Sequence, residues 1–141
     1  MGIGHKRADL RSNAQAKLDD AMILLQNRKF ANAYYLAGYA VEMGLKACIA
    51  AHISAETIPD KDLIKNILRH DFPVLVGLAG LQPELKEQKD KDPDFAANWA
   101  FVSEWSPDAR YEDKDITSAQ AIIEAIGNQK SGVLQWIKMY W

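Results

Sequence analysis

The chain has 141 residues, 48% of them hydrophobic and 26% charged, the proportions of one soluble globular domain rather than of a disordered chain. Its formal net charge of −2 excludes an overall basic field that would draw it to nucleic acid or to an anionic membrane. The one cysteine, Cys48, excludes an internal disulfide framework and a multi-cysteine zinc site, and its apolar neighbours Leu45, Ala47 and Ile49 mark it as a buried, inert thiol.

Residues 1–141 read as a single domain, with residues 1–8 expected as a flexible N-terminus. Met1-Gly2-Ile3-Gly4-His5-Lys6 lacks a signal core, and Lys6 stands where a myristoylation motif wants Ser or Thr. Glu42 and Lys46 interrupt the best apolar stretch, so no membrane segment is expected and the location reads as cytoplasmic. Lys6, Arg7, Arg11, Lys17, Arg28 and Lys29 outnumber Asp9, Asp19 and Asp20 before residue 30, which reads as a solvated helix face with a modest basic edge.

The first helix is predicted over Asp9–Asn27, with Ala14, Leu18, Ala21, Met22 and Leu25 on one face and Arg28-Lys29 at its end. After a very short link, a second helix over Phe30–Ile53 folds back antiparallel. It carries a small-residue stripe of Ala33, Ala37, Ala40, Gly44, Ala47 and Ala51, and is apolar nearly all round, so it is expected at the centre. Glu42 and Lys46 lie within it, one turn apart in the acid-before-base order that favours pairing. Charges in a buried helix are costly unless paired, which makes these two informative.

Ser54–Lys61, with Pro59, reads as a loop, and Asp62–Leu68 as a short helix. Asp71 is expected to cap a helix with Pro73 in its first turn, Val74, Leu75 and Leu78 inward and Gly80 at its end. Glu84–Asp94 reads as an exposed helix end and turn, Phe95, Trp99 and Val102 as a helix face, and Ser106–Tyr111 as a loop. Thr117 and Gln120 form a capping box for a last helix whose Ala119, Ile122, Ile123, Ile126, Val133 and Ile137 share one face, with Gly127 and Gly132 weakening its middle. No period-2 strand pattern of useful length occurs, so the expected fold is all-α, an antiparallel up-and-down bundle of four or five helices.

The run Ala33-Tyr34-Tyr35-Leu36-Ala37-Gly38-Tyr39-Ala40-Val41-Glu42-Met43-Gly44-Leu45-Lys46-Ala47 resembles the second helix of HEPN domains, also described as nucleotidyltransferase substrate-binding domains. Leu24–Phe30 looks like that family's helix end and turn, His70-Asp71-Phe72-Pro73-Val74-Leu75 is similar to its "H-D-L-x-x-L" segment, and Trp105–Tyr111 is similar to its "R-Y" loop. The resemblance covers about residues 14–140 in the family's order. It implies a four- or five-helix bundle, usually a homodimer, often beside a minimal nucleotidyltransferase in toxin–antitoxin or defence-type modules. Ribonuclease members carry an Arg followed by His five to seven positions on. Here the arginines stand at 7, 11, 28, 69 and 110 and the histidines at 5, 52 and 70, so that motif is absent.

The site candidates are Glu42, Lys46, His70, Arg110 and Tyr111. Glu42 and Lys46 pair with each other or with Arg110 to organise the bundle, or they recognise a ligand. His70 is a helix-start residue bonding the backbone near Asp71, or a lone acid–base group. Arg110-Tyr111 touches a phosphate and a base, or anchors its loop to Glu42. His5, His52 and His70 make no three-histidine metal site, and no cofactor is expected. Trp99, Trp105, Trp136 and Trp141 are expected in the core or an interface, with Trp141, Tyr140 and Met139 as a dimer contact. The expectation is therefore a non-catalytic binding module, a homodimer taking nucleotide or RNA and partnering a nucleotidyltransferase. Its rivals are a ribonuclease with a non-standard site around Arg110, His70 and Glu42, and a purely structural homo-oligomer.

Overall fold

Two long helices and a series of shorter ones build the molecule. The structure, a computed structural model, describes residues 6–56, 58 and 61–141, the side chains of 54–56 excepted. His5, most of the expected flexible start and the expected turn at Pro59 lie outside the described residues. In chain order the elements are α1 (Arg7–Gln26), α2 (Phe30–Glu56), α3 (Lys61–Asn66), α4 (Phe72–Leu78), α5 (Gln82–Lys91) and α6 (Pro93–Val102). A 3-10 segment (Pro107–Tyr111), α7 (Ile116–Gly127) and α8 (Val133–Ile137) follow. Among the described residues there is no strand, and the fold is an all-helical bundle. No helix among them is long and apolar enough to cross a membrane.

α1 turns Leu10, Ala14, Leu18 and Ala21 inward. Met22, expected on that face, is 46% exposed; it lies one residue and so about 100° round from Ala21. The helix stops because Arg28 takes the left-handed conformation at φ 61°. The Lys29 N–H then reaches Leu24 O and the Arg28 N–H reaches Leu25 O, a Schellman close that satisfies the last carbonyls and reverses the chain.

α2 is the centre, packed against α1, α4, α7, α8 and the 3-10 segment. Ala33, Ala37, Ala40 and Ala47 are fully buried, and it continues past Ile53 into the segment expected as loop, to Glu56. A side chain at Gly44 would meet Ile137 Cγ2 at 3.0 Å, so the glycine lets α8 sit against α2. Cys48 is buried there, its thiol donating to Ile137 O at 3.7 Å.

The later helices are short because the sequence stops them. Gly80, at φ 72°, closes α4, while Pro83 and Pro93 stand in the first turns of α5 and α6. Asp71 occupies the N-cap position of α4 but makes no side-chain cap; its carboxylate takes Arg69 at 2.6 Å. Phe72, Leu75 and Val76 are buried in the core and Leu78 packs against it, so Leu75 and Leu78 lie inward as expected while Val74 gives way to Phe72 and Val76, which share the Leu75 side of the helix. α7 is capped by Asp115, which accepts from the Ser118 N–H at 2.8 Å, not by the expected Thr117–Gln120 box.

The expected single last helix is two. At Asn128 the side-chain oxygen accepts from the N–H groups of Lys130 and Ser131, an Asx turn that competes with the helix ladder. Gly132 completes the break, since a Cβ there would sit 2.4 Å from Asn128 O. Asp92 ties this turn to α6, accepting from the Phe95 N–H at 3.1 Å and the Ser131 hydroxyl at 2.8 Å.

A candidate functional site along the polar face of the second helix

Tyr35, Tyr39, Glu42 and Lys46 follow one another on α2 at steps of four, three and four, so they form one stripe along the helix. Glu42 is its fixed point, with a side chain 4% exposed. Leaving that carboxylate without partners would be costly, and two donors replace the lost water. Lys46 Nζ stands 3.1 Å from Oε2, and His70 Nδ1 stands 2.7 Å from Oε1.

The contact with His70 corrects one expectation. The imidazole does not bond the backbone near Asp71 but crosses to α2, where a carboxylate already holding an ammonium makes Nδ1 the donor. With the ring 49% exposed, Nε2 is left as the nitrogen able to exchange a proton with solvent or a bound molecule. Arg69, next in the chain, turns away to Asp71.

Arg110 corrects another. It is exposed and does not pair with Glu42; its guanidinium lies over the Tyr111 ring at 4.9 Å. Hydrogen bonding to the Tyr111 phenol first, and to Tyr35 after it, holds that guanidinium still more firmly in its charged form. Tyr111 is 78% exposed, an aromatic face open to solvent. Tyr35 meets Tyr39 edge-on at 5.8 Å, and the Tyr39 phenol is pushed above its ordinary range by burial first and by the Glu42 charge second.

The five sequence candidates thus form two groups on one side of α2: Glu42, Lys46 and His70 in direct contact, and Arg110 with Tyr111, joined to them through Tyr35 and Tyr39. The two tyrosines were missed as site residues. Their signal was present in the spacing, which places them on the helix face that carries Glu42 and Lys46.

Elsewhere the chemistry is quieter. Burial pushes the Cys48 thiol up to about 12, which agrees with an inert thiol. The His52 ring packs against Gly80, beside a crevice of about 270 Å³ that it lines with Cys48 and Tyr140. A larger concavity of about 530 Å³ lies between α5 side chains, Pro83, Lys86, Glu87, Asp90 and Lys91, and includes none of the five candidates. Among the described residues no group of three His, Cys, Asp or Glu side chains is placed to hold a metal ion. Trp99, Trp105 and Trp136 are buried in the core, while Trp141 is half-buried beneath Arg11 and Lys138. Compared with protein-family models, curated proteins and solved structures, the chain gives no match.

Proposed function

We propose that this chain is a non-catalytic, HEPN-like binding module of the cytoplasm that takes a nucleotide or a short RNA segment on the polar face of α2. The observation that carries the reading is the Arg110–Tyr111 pair: a guanidinium 4.9 Å over a solvent-open ring. The ring offers a base a stacking face and the guanidinium offers a phosphate a fork of donors. Lys46 and His70 add cationic or donor groups further along the stripe, and Glu42 orients them. A homodimer that partners a nucleotidyltransferase, in a toxin–antitoxin or defence-type module, is the setting that the sequence resemblance suggests.

The test is calorimetric titration with adenosine and uridine mono- and triphosphates and with short single-stranded RNA. Arg110→Ala and Tyr111→Ala are each expected to weaken binding about tenfold, the effect of losing roughly 1–3 kcal/mol of stacking or charge contact. Binding unchanged in both variants ends the reading. Light scattering reports the dimer, and co-purification with a tagged chain reports the nucleotidyltransferase.

A second reading has its own support in the 2.7 Å His70–Glu42 contact, which leaves Nε2 as an acid–base nitrogen. In that reading the protein is a ribonuclease with a non-standard site of His70, Glu42 and Arg110. RNA cleavage abolished by His70→Ala and by Arg110→Ala, with helicity intact, would establish it. A chain that binds neither nucleotide nor partner and only self-associates would be a structural oligomer.

A further inference from the structure

We propose that Trp105 is the positioning residue that holds the Arg110–Tyr111 pair in register with the Glu42–His70 pair, so that both act on one ligand. The inference rests on the binding reading above for its ligand, but the registration itself is a property of the free protein.

Trp105 is 4% exposed and lies between the two groups. One face of its indole stacks on Phe72, with centroids 5.5 Å apart and planes 6° from parallel. Its ring also meets Tyr35 at 5.9 Å and 31°. It rests directly on the backbone of α2, since a Cβ at Gly38 would stand 2.2 Å from Cδ1; no residue but glycine leaves room for the ring.

Each of these neighbours leads to one half of the site. Phe72 is two residues beyond His70 and opens α4, so the Phe72 stack fixes where the His70 segment meets α2. Trp105 itself leads into the 3-10 segment, where buried Ala109 anchors Arg110 and Tyr111. Tyr35 meets the Trp105 ring and lies near enough to the Arg110 guanidinium to favour its charged form. One flat ring therefore sets the spacing of a segment near residue 70, a segment near residue 110 and the face of α2. The indole Nε1 is buried without an acceptor, so the ring is held for its area and not for a hydrogen bond. A phenyl ring is then expected to do the same work, and an aliphatic side chain is not.

The experiment is NMR on the full chain without ligand, following the His70 ring Cε1–H through a pH titration and the Arg110 Nε–Hε resonance, in parallel with calorimetric titration of adenosine 5′-monophosphate and a uridine tetranucleotide. Trp105→Leu is expected to move both resonances and weaken binding about tenfold, and Trp105→Phe to leave both resonances near their parent positions and binding within about twofold of the parent. Phe72→Leu, the second variant should Trp105→Leu fail to fold, is expected to move His70 and leave Arg110 in place. Ile126→Val serves as a control for general loosening of the core. The proposal is overturned when Trp105→Leu shifts His70 and Arg110 no further than Ile126→Val does, when Phe72→Leu shifts His70 no further than that control, or when Trp105→Phe behaves as Trp105→Leu does. Should the parent bind neither probe while the resonances respond as expected, the binding reading fails and the positioning inference stands.

Discussion

The buried positions of α1 and α2, two helices packed on each other, include many methyl-sized side chains, Ala14, Ala21, Ala33, Ala37 and Ala40 all being fully buried. Around α4, α6 and α8 they are rings: Phe72 on Trp105, Phe95 and Trp99 against Trp136, and Trp136 against Tyr140. The first region gains stability from two long helices packed on each other, and helical periodicity serves it well. The second is cut into short helices by Gly80, Pro83, Pro93 and Asn128, and large surfaces with side-chain caps hold the pieces. The polar stripe lies where the two regions meet, with its charges on the long helix and its exposed partners on the short segments.

The sharpest way to break that comparison is at the junction itself. Gly38→Ala places a methyl inside the Trp105 ring and is expected to cost about 3 kcal/mol, a large loss for one methyl, read as a lower urea midpoint. Next comes the ring-rich half alone. Asn128→Ala removes the acceptor for the Lys130 and Ser131 N–H groups and is expected to cost about 1–2 kcal/mol without altering the α1–α2 hairpin, as hydrogen exchange in the two regions would show. In the hairpin, Arg28→Gly relieves a left-handed residue and is expected to stabilise by up to about 1 kcal/mol, seen as a small rise in Tm.

The smallest effect is one of pH. The Asp92 carboxyl is held below its ordinary 3.8 chiefly by the Phe95 N–H, then by the Ser131 hydroxyl. A depressed folded-state value means that its contribution is present above the ordinary value and is lost as pH falls through the folded one. Asp92→Asn is therefore expected to give a shallower fall of Tm below about pH 4 than the parent shows, with little change in that slope near neutrality.

How much of this was legible in the sequence follows the same division. The body of α1, the start and central place of α2, the face of Phe95, Trp99 and Val102, the stop at Gly80 and the buried Cys48 all follow from periodicity or from a local backbone need, whereas α2 runs past its expected end at Ile53 to Glu56. The split of the last helix does not, because apolar spacing carries across Asn128 while the side chain of that residue takes over the backbone hydrogen bonds. Asp115 won the cap of α7 from Thr117, two acceptors too near in sequence for pattern to separate. Within the candidate site the Glu42–Lys46 pair was readable because it is local. The bond from His70 to Glu42 spans 28 positions and depends on where α4 packs. Arg110 turned to the aromatic beside it, a choice that residue type leaves open.

The Cys48 thiol has a use beyond its packing. It is the one cysteine in the chain, it is pushed up to about 12, and it closes against the Ile137 carbonyl. With Cys48 2% exposed and its thiol so little ionised, an alkylating reagent meets a reactive thiolate rarely in the closed fold and more readily while α8 stands away from α2. The rate at which the native protein is labelled is thus an internal clock for that opening, timing the edge of the bundle without any added probe.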